Sequence, residues 1–540
     1  MRLGYQSAHT HPKLRAGDGA MSDRYDIIVI GAGLGGLTAA ALLAQAGRKT
    51  LLIERNHGVG GAASTYKAGD LVVEASLHET SDPQDPLDPK HHVLAGIGVL
   101  DKVNWVPTST VYEVRGGPVG VPFVLPEGVG AARDALLDRF PAERAGIGPL
   151  LHEMEAIATA LGTLSRGRAA FDRPLHGLGA LLKLGPLLTG WRLSLAARLN
   201  RAFGDNEAAK CALAANMLYW HDDPAALWWV LFAVAQGGYL ASGSRYIQGG
   251  SQRLSNALAR ALKAAGGELL LRRSVTGILL DEAGRPAGVV HEGKDGGRVE
   301  VRAAVVVGNA APVHLAHMLP AAARPRFFAP YVDRPLSISL FSATFGLSVP
   351  PSELGLSSYS TFLLPEWMTA LADYRRSASI LGGAPEEAMP PIAVVNYSAI
   401  DSGLNGAPYP VSVVGADRTS NWSGLDPAAY EAKRGLWREA IAAVIDRVFP
   451  GFAEHVVASV FSTASTMSSY LNAPEGAVYG FAPLPPAGPI WKGPERSPKT
   501  PIDGLYLASS YAGSGGYTGA ILAGAAAARA VLSRAPIRKK

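Results

Sequence analysis

The stretch Tyr25-Asp26-Ile27-Ile28-Val29-Ile30-Gly31-Ala32-Gly33-Leu34-Gly35-Gly36 decides the fold of this chain. Its four consecutive apolar residues, 27–30, predict a buried parallel strand. The glycines that follow have the spacing G-x-G-x-x-G. In that spacing Gly31 permits a tight turn, Gly33 lets the backbone approach a pyrophosphate, and Gly36 lets the next helix pack closely on the strand. The stretch therefore predicts the first half of a dinucleotide-binding βαβ unit.

The residues after the glycines complete that unit. Thr38–Ala46 is rich in Ala and Leu and predicts a helix, whose N-terminus favours phosphate groups. Thr50–Ile53 predicts the second strand, which ends at Glu54. This carboxylate follows Gly31 by about 20 residues, the spacing at which an acidic side chain accepts hydrogen bonds from a ribose diol. Strand, glycines, helix, strand and acid in register predict dinucleotide binding.

Composition limits the remaining function classes. The chain has 540 residues, enough for two to four domains, and a net charge of only +5. No basic stripe of the kind that nucleic-acid binders carry is present in the sequence. The charged fraction is 18% and the mean hydropathy is +0.12, which argues against a disordered scaffold and favours an apolar ligand or a membrane surface.

Cysteine and histidine usage predicts neither disulfides nor a metal site. Cys211 is the single cysteine, so no disulfide framework or CxxC pair exists within one chain. His314 and His317 form an HxxH pair, but the acidic residues that a metal site would need do not flank it. We therefore expect no metal.

Two segments of the sequence bear on where in the cell the protein is located. Residues 1–21 are polar and predict a disordered leader, with either Met1 or Met21 as the true start. Residues 175–201 place leucines among Lys183, Arg192, Arg198 and Arg201, which predicts either a membrane-surface helix or an amphipathic helix pair packed on the core. We expect a cytoplasmic protein with peripheral contact at the inner membrane face; the sequence leaves the oligomeric state open.

A second glycine motif gives a resemblance to a known family. The pattern E-R-x(4)-G-G, formed by Glu54, Arg55, Gly60 and Gly61, resembles that of the FAD-dependent phytoene desaturase, carotenoid isomerase and retinol saturase superfamily. In that superfamily the Gly-Gly pair passes close to the cofactor pyrophosphate, and many members carry a basic residue after it. Here Ala62 stands at that position, so one phosphate contact must come from elsewhere.

Further blocks resemble the same superfamily. They are residues 246–254, 468–480 with P-E-G-A-x-Y-G, 500–507 with T-P-I-x-x-L-Y, and 514–520. The strand before the last block ends in Ser509-Ser510, where many FAD enzymes of this architecture carry Gly-Asp. The FAD contacts that the βαβ spacing and the resemblance imply are Gly31, Gly33, Leu34, Gly35, Gly36, Glu54, Arg55, Gly60, Gly61, Ala62, Val275, Ser509, Ser510, Gly516, Tyr517, Thr518 and Ala520.

These motifs predict an α/β fold: a Rossmann-like FAD-binding domain of the GR2 flavoprotein type with an inserted α+β substrate domain. Residues 106–235 have a mostly helical pattern, and Leu336–Leu340 alternates as a half-buried strand does. The predicted domains are a leader at 1–21, FAD-binding parts at 22–108, 240–315 and 485–540, a helical substrate- or membrane-facing segment at 109–239, and a substrate domain with a mixed sheet at 316–484.

The resemblance implies an FAD-dependent oxidoreductase that desaturates or saturates a long, apolar, carotenoid- or retinoid-like polyene. Such chemistry needs an apolar channel to the flavin rather than a conspicuous acid–base pair. The candidates for facing the substrate are His78, Trp228, Trp229, Tyr479 and Tyr517, with core packing as the alternative for the two tryptophans and a structural hydrogen bond for His78.

Three other functions stay open at this point. A flavin-dependent isomerase would rotate a polyene double bond without net redox change. A redox-silent lipid- or partner-binding protein would retain the flavoprotein fold, and Ala62 with Ser509-Ser510 is the support for it. An amine oxidase rests on fold analogy alone.

Overall fold

The computed structural model describes residues 24–76, 78–165, 185–494 and 496–534. Its strands are β1 (Arg24–Ile30), β2 (Thr50–Ile53), β3 (Thr65–Ala68), β4 (Leu71–Glu74), β5 (Thr80–Ser81), β6 (Trp105–Pro107), β7 (Thr110–Gly116), β8 (Gly120–Pro126), β9 (Ser244–Ile247), β10 (Glu268–Leu270), β11 (Ser274–Leu280), β12 (Pro286–Glu292), β13 (Arg298–Gly308), β14 (Ser339–Leu347), β15 (Ser360–Leu364), β16 (Ile392–Asn396), β17 (Tyr409–Asp417), β18 (Val456–Ser462) and β19 (Leu505–Leu507).

The α-helices lie between these strands. They are α1 (Leu34–Gln45), α2 (His91–Ile97), α3 (Val129–Arg139), α4 (Arg144–Ser165), α5 (Gly185–Gly190), α6 (Leu195–Phe203), α7 (Glu207–Ala214), α8 (Trp229–Ser242), α9 (Gln252–Ala264), α10 (Pro312–Met318), α11 (Arg324–Phe328), α12 (Pro427–Val448), α13 (Ala464–Leu471) and α14 (Gly516–Leu532). Within the described ranges, no helix has the length and apolar character needed to cross a membrane.

The first sheet carries the predicted βαβ unit. Its strand order is β10-β2-β1-β13-β12-β11, and β19 also pairs with β13. The strands β10, β2, β1, β13 and β19 run parallel, whereas β11 and β12 are antiparallel additions. Ile27 and Val29 pack with α1, and Ile28 and Ile30 pack in the core on the opposite face. Burial on both faces explains the uninterrupted apolar run of β1.

The second sheet is mostly antiparallel and has the order β18-β14-β17-β16-β15-β7-β8. Side-chain alternation divides its faces: Ala393 and Val414 join the core formed with the helical segment, while Val394 and Val413 join the core formed with α12. Leu340, Ser342 and Thr344 of β14 contribute to a large cavity between the two sheets. The two-sheet arrangement confirms the predicted α/β class with an inserted α+β part.

Two secondary-structure predictions need correction. Residues 110–126, predicted within a mostly helical segment, form the hairpin β7–β8 of the second sheet. Gly116 and Gly120 both have positive φ values, 79° and 70°, at the turn of that hairpin. The strand predicted at Leu336–Leu340 begins at Ser339 instead and extends to Leu347. Leu336 forms an isolated bridge with Phe481 outside that strand.

The segment 175–201 falls partly outside the described residues, which resume at 185. In the described part, Leu195 and Leu199 are fully buried. Arg198 donates to Glu153 at 2.7 Å and is not available to a lipid headgroup. This half of the segment therefore packs on the core, the second of the two arrangements that its pattern allows.

Candidate flavin site and substrate cavity

The backbone of the glycine turn, residues 31–36, forms a cradle in which additional side-chain atoms would have no room. Gly31 has a φ of 93° and donates its backbone N–H to the Ile53 carbonyl at 2.8 Å. A Cβ added at Gly35 would lie 2.0 Å from the Ala508 carbonyl oxygen, and one at Gly36 would lie 2.0 Å from the Gly31 carbonyl oxygen. The close approach of strand, helix and β19 thus requires glycine, as the spacing predicts.

Glu54 closes one end of the cradle. Its buried carboxylate accepts hydrogen bonds from the backbone N–H groups of Ala32 at 2.7 Å and Asn56 at 2.8 Å. These two bonds fix the carboxylate at the carboxyl end of β2, next to the glycine turn. Carboxylate oxygens have lone pairs beyond these two bonds, so the group can also accept from a ribose hydroxyl.

The second glycine motif lies against the first. Gly60 forms a bridge with Gly33, and its φ of 121° leaves its Cβ position only 2.3 Å from the Ala63 carbonyl oxygen. Arg55 donates to the carbonyl oxygens of Ser469 and Tyr470 at 2.9 and 2.5 Å. The Arg55 guanidinium therefore ties the end of β2 to α13 across the cavity.

One cavity of about 1190 Å³ runs along this cradle and continues beyond it. Small-molecule pockets usually have volumes of about 300–1,000 Å³, so this cavity has room for a cofactor and a second ligand. Its wall includes all the predicted cofactor residues except Gly36, whose role is packing: Gly31, Gly33, Leu34, Gly35, Glu54, Arg55, Gly60, Gly61, Ala62, Val275, Ser509, Ser510, Gly516, Tyr517, Thr518 and Ala520.

The first turn of α14 closes the far end of the cradle. Gly515 and Gly516 both have positive φ values, 75° and 64°, and a Cβ at Gly515 would lie 2.5 Å from the Tyr479 Cβ. The Tyr517 hydroxyl lies 3.3 Å from the Ser76 hydroxyl, which donates to the Ala62 carbonyl at 2.7 Å. The helix N-terminus is thereby held beside the second glycine motif, where it can stabilise negative charge on a flavin ring.

Ala62 and Ser509-Ser510 are the two places where the sequence departs from the superfamily pattern, and the structure shows what surrounds each of them. Ser509 donates its hydroxyl to the Ala310 carbonyl at 3.0 Å and joins β19 to the end of β13. Arg55, Lys67 and Arg273 are cationic residues in the cavity wall. A phosphate contact that Ala62 cannot supply is therefore open to these side chains and to the N–H groups of the glycine turn.

The predicted substrate-facing residues separate into two groups. His78, Tyr479 and Tyr517 all lie in the cavity wall. Trp228 and Trp229 lie in the helical core instead, which is the alternative that the sequence leaves open for them. Both are buried in the helical core: the Trp228 indole N–H donates to the Trp191 carbonyl at 2.7 Å, and that of Trp229 donates to Glu153 at 2.8 Å.

His78 is a neutral, hydrogen-bonded group. Its Nδ1 lies 3.2 Å from the Tyr219 hydroxyl, and Tyr359 donates a hydrogen bond to its carbonyl oxygen. Burial lowers the pKa of His78 to about 4, because the imidazolium form is poorly solvated there. Burial also raises the pKa of the Tyr479 and Tyr517 phenols, so these groups stay protonated.

Several site residues carry no motif and are visible in the structure alone. Lys90, which is 1% exposed, donates to Asp88 at 2.9 Å, to Ser81 at 2.7 Å and to the Thr518 hydroxyl at 3.1 Å. Asn309 donates to the Gly31 carbonyl at 3.3 Å. Glu79 follows His78 directly and also lies in the cavity wall. Buried polar groups of this kind have no periodic signature in a sequence.

Beyond the cradle the cavity wall is mostly apolar. The side chains that extend it come from α4, α8 and the second sheet: Ala158, Leu161, Leu231, Val234, Ala235, Leu340 and Val414. Tyr219, Tyr239 and Tyr479 add aromatic rings to this part of the wall. This extension, named here the apolar chamber, is suited to a long hydrocarbon ligand beside a flavin.

Known proteins are similar to this chain in sequence. A model of the family described as flavin containing amine oxidoreductase matches residues 34–532. The all-trans-retinol 13,14-reductase of Rattus norvegicus is 24% identical over 550 residues, covering 95% of this chain and 86% of that protein. The chloroplastic prolycopene isomerase of Daucus carota is 25% identical over 507 residues, covering 90% of this chain and 76% of that protein. Retinol and carotenoid relatives confirm the predicted superfamily resemblance.

Solved structures support the fold. An oxidoreductase from Methanosarcina mazei is similar with a TM-score of 0.59 and 17% identity, covering 94% of this chain and 100% of that one. A triple mutant of putrescine oxidase gives a TM-score of 0.60 with 17% identity, covering 95% and 99%. Because the family model extends from the glycine turn to the last helix, and because the cradle leaves room for a dinucleotide, this chain belongs to the flavin-containing amine oxidoreductase family, and FAD is its cofactor.

Proposed function

We propose that this protein is an FAD-dependent oxidoreductase that changes the bond order of an apolar, retinoid- or carotenoid-like polyene. The observation that carries the proposal is the apolar chamber, which opens directly from the flavin cradle and is lined by aliphatic and aromatic side chains. Relatives named for a retinol reductase and a prolycopene isomerase support a polyene as the ligand.

Different residues of the chain would bind the different parts of FAD. Glu54 would hold the ribose, the glycine turns with Gly33 and Gly60 would hold the pyrophosphate, and the first turn of α14 would hold the flavin ring. Bound there, FAD supplies two-electron chemistry at its ring. The chamber walls exclude water and orient the polyene along its length, so that its reacting carbons meet the flavin rather than solvent.

The polyene is proposed to enter from the end of the chamber formed by α4 and Leu87. Leu87 lies in the cavity wall and is 39% exposed, and Leu161 of α4 lies in the same wall. An apolar opening of this kind suits a ligand delivered from a membrane surface. We propose peripheral contact there, and co-sedimentation of the protein with anionic vesicles tests it: protein that stays in the supernatant contradicts it.

The experiment for the main proposal is a visible spectrum of the full chain purified in detergent with FAD. Anaerobic addition of all-trans-retinol or phytoene should change the flavin bands in either the oxidised or the dithionite-reduced protein. A product with two hydrogens more or fewer supports saturation or desaturation, whereas a product of unchanged mass supports the isomerase alternative. Oxidation of putrescine with no polyene change would favour an amine substrate and contradict the proposal.

A further inference from the structure

We propose that Asp85 determines which polyenes this site accepts: its carboxylate receives a hydrogen bond from a terminal hydroxyl, so the substrate is a polyene alcohol rather than a hydrocarbon polyene. The inference rests on the proposed function and deepens it, because it names the class of polyene. It starts from the open end of the apolar chamber, where Leu87 and α4 form the proposed entrance.

Asp85 lies in the loop between β5 and α2 and is half-buried in the cavity wall. Two helices of the chamber hold this loop in place. A Cβ added at Gly162 of α4 would lie 2.5 Å from the Leu87 carbonyl oxygen, so the loop is seated directly on α4. The hydroxyl of Ser242, the last residue of α8, donates to the Asp85 carboxylate and also lies in the cavity wall. The carboxylate is therefore fixed where the loop, α4 and α8 come together.

The hydrogen bonds of the Asp85 carboxylate leave it with unused acceptor capacity. Its Oδ1 accepts from the Leu87 backbone N–H at 2.8 Å, and its Oδ2 accepts from Ser242. A carboxylate offers about four lone-pair sites and no donor, so these two bonds do not saturate it. The cationic groups of the neighbouring residues have other partners: Lys90 pairs with Asp88 at 2.9 Å, and Arg245 pairs with Asp82 at 2.9 Å.

The other carboxyl groups in the described wall of the cavity have different settings. Glu54 lies at the glycine turn and accepts from two backbone N–H groups. Asp88 is paired with Lys90, and both Glu79 oxygens are closed to solvent. Asp85 thus differs from all three, because it combines a position at the open end of the chamber with spare acceptor sites.

This carboxylate discriminates between the ends of possible ligands. A ligand that fills the open end of the chamber displaces water from Asp85. A terminal hydroxyl replaces the lost hydrogen bond, whereas a hydrocarbon end leaves a charged group without its solvation. A site that is built to bond a hydroxyl therefore rejects an analogue that lacks one.

A hydroxyl fits this end of the chamber better than an ammonium group does. The wall there is otherwise mostly aliphatic, with Leu87, Leu161 and Ala241 among its residues. A hydroxyl brings one donor, which a single carboxylate lone pair satisfies, whereas an ammonium brings three. Aliphatic side chains offer no acceptor for the additional N–H groups, so the geometry favours an alcohol.

The test measures how tightly the FAD-loaded full chain binds all-trans-retinol and its methyl ether. The two ligands share one polyene chromophore, so quenching of tryptophan fluorescence reports both in the same way. Binding is measured anaerobically, in the redox state of the flavin that leaves retinol unchanged. The ether oxygen can accept a hydrogen bond but has no O–H to donate, so the wild type should bind retinol about 10–100-fold more tightly.

Asp85→Asn is the decisive variant. Its amide oxygen can still accept from the Leu87 N–H, while its NH₂ group replaces the free carboxylate oxygen. Because alcohol and ether oxygens both accept from an NH₂ group, the preference for retinol should fall to about one. Asp101→Asn is the matched control: it removes the same charge at an exposed residue outside the cavity wall, and it should keep the wild-type preference. Comparing ratios between variants cancels any difference in solubility between the two ligands.

The outcomes separate the two proposals. Equal binding of retinol and its ether by the wild type, or a full wild-type preference in Asp85→Asn, overturns the Asp85 inference and leaves the proposed function intact. Tighter binding of all-trans-retinylamine than of retinol also overturns the assignment to an alcohol. A wild-type holoprotein that neither binds nor changes a polyene overturns the proposed function and the inference with it. If Asp85→Asn does not retain FAD, the wild-type ratio decides.

Discussion

The Lys90 ammonium donates a hydrogen bond to the Thr518 hydroxyl at 3.1 Å and thereby joins the start of α2 to the first turn of α14. Lys90 also forms an ion pair with Asp88 at 2.9 Å, and the two side chains are 1% and 2% exposed. The helix N-terminus that closes the flavin cradle is thus held by a buried charge from a distant part of the chain.

Replacing Lys90 with Met should destabilise the protein by about 3–5 kcal/mol, because the buried Asp88 carboxylate loses its partner. FAD affinity should fall as well, since Thr518 loses a contact that positions it. Urea unfolding and FAD titration measure the two effects. Adding Asp88→Asn to Lys90→Met should recover most of the stability, and a double variant as unstable as the single one would contradict this account.

Gly35→Ala should prevent tight FAD binding or folding. The new Cβ would lie 2.0 Å from the Ala508 carbonyl oxygen, so α1 and β19 would have to separate. Gly96→Ala is the matched control, because Gly96 lies in α2 with no heavy atom within 4 Å of its Cβ position. The soluble yield and flavin content of the two variants check the prediction, and equal FAD content in both would show that the cradle tolerates a side chain.

Ala235→Trp should close the apolar chamber and leave the flavin cradle unchanged. Ala235 lies in the chamber wall on α8, and an indole there would occupy the space proposed for the polyene. FAD content should match the wild type, while polyene turnover falls more than about 10-fold, as expected for a blocked site. Trp228→Phe removes a core hydrogen bond and part of the buried indole, so it should cost about 1–3 kcal/mol of stability with little effect on turnover.

The stability of the protein should depend on pH through His78. In the unfolded chain this imidazole takes up a proton below its ordinary pKa of 6.5, whereas burial in the folded protein lowers the pKa to about 4. The free energy of unfolding is therefore highest above pH 6.5, and it falls by roughly 3 kcal/mol as the pH decreases toward 4. Urea unfolding of the wild type and His78→Gln between pH 4 and pH 7 measures it: on acidification the wild type should lose roughly 3 kcal/mol more than the variant, and an equal loss in both would contradict the assignment to His78.

The sequence predicts the nucleotide-binding half well because its signals are local. β1, β2 and the glycine turn lie where the motif places them, and α1 begins four residues earlier than predicted, at Leu34. Turn geometry, phosphate approach and helix packing each require glycine at a fixed position, so the spacing alone specifies the unit.

The substrate half is harder to predict because it is assembled from distant segments. Trp228 and Leu231 are close together in the sequence, yet Trp228 packs in the core and Leu231 lines the chamber. The β7–β8 hairpin joins a sheet whose next strand, β15, lies more than 200 residues later, so no local periodicity indicates its partner. Glu79 and Lys90 are recognisable only once the fold shows what surrounds them.

The most direct test of the central claim is an anaerobic titration of the FAD-loaded protein with all-trans-retinol in both flavin redox states, followed by product mass. The account predicts that the flavin changes between its oxidised and reduced spectra as the polyene gains or loses two hydrogens in equal amount. Flavin bands that stay unchanged in both states, with the polyene recovered intact, would contradict it.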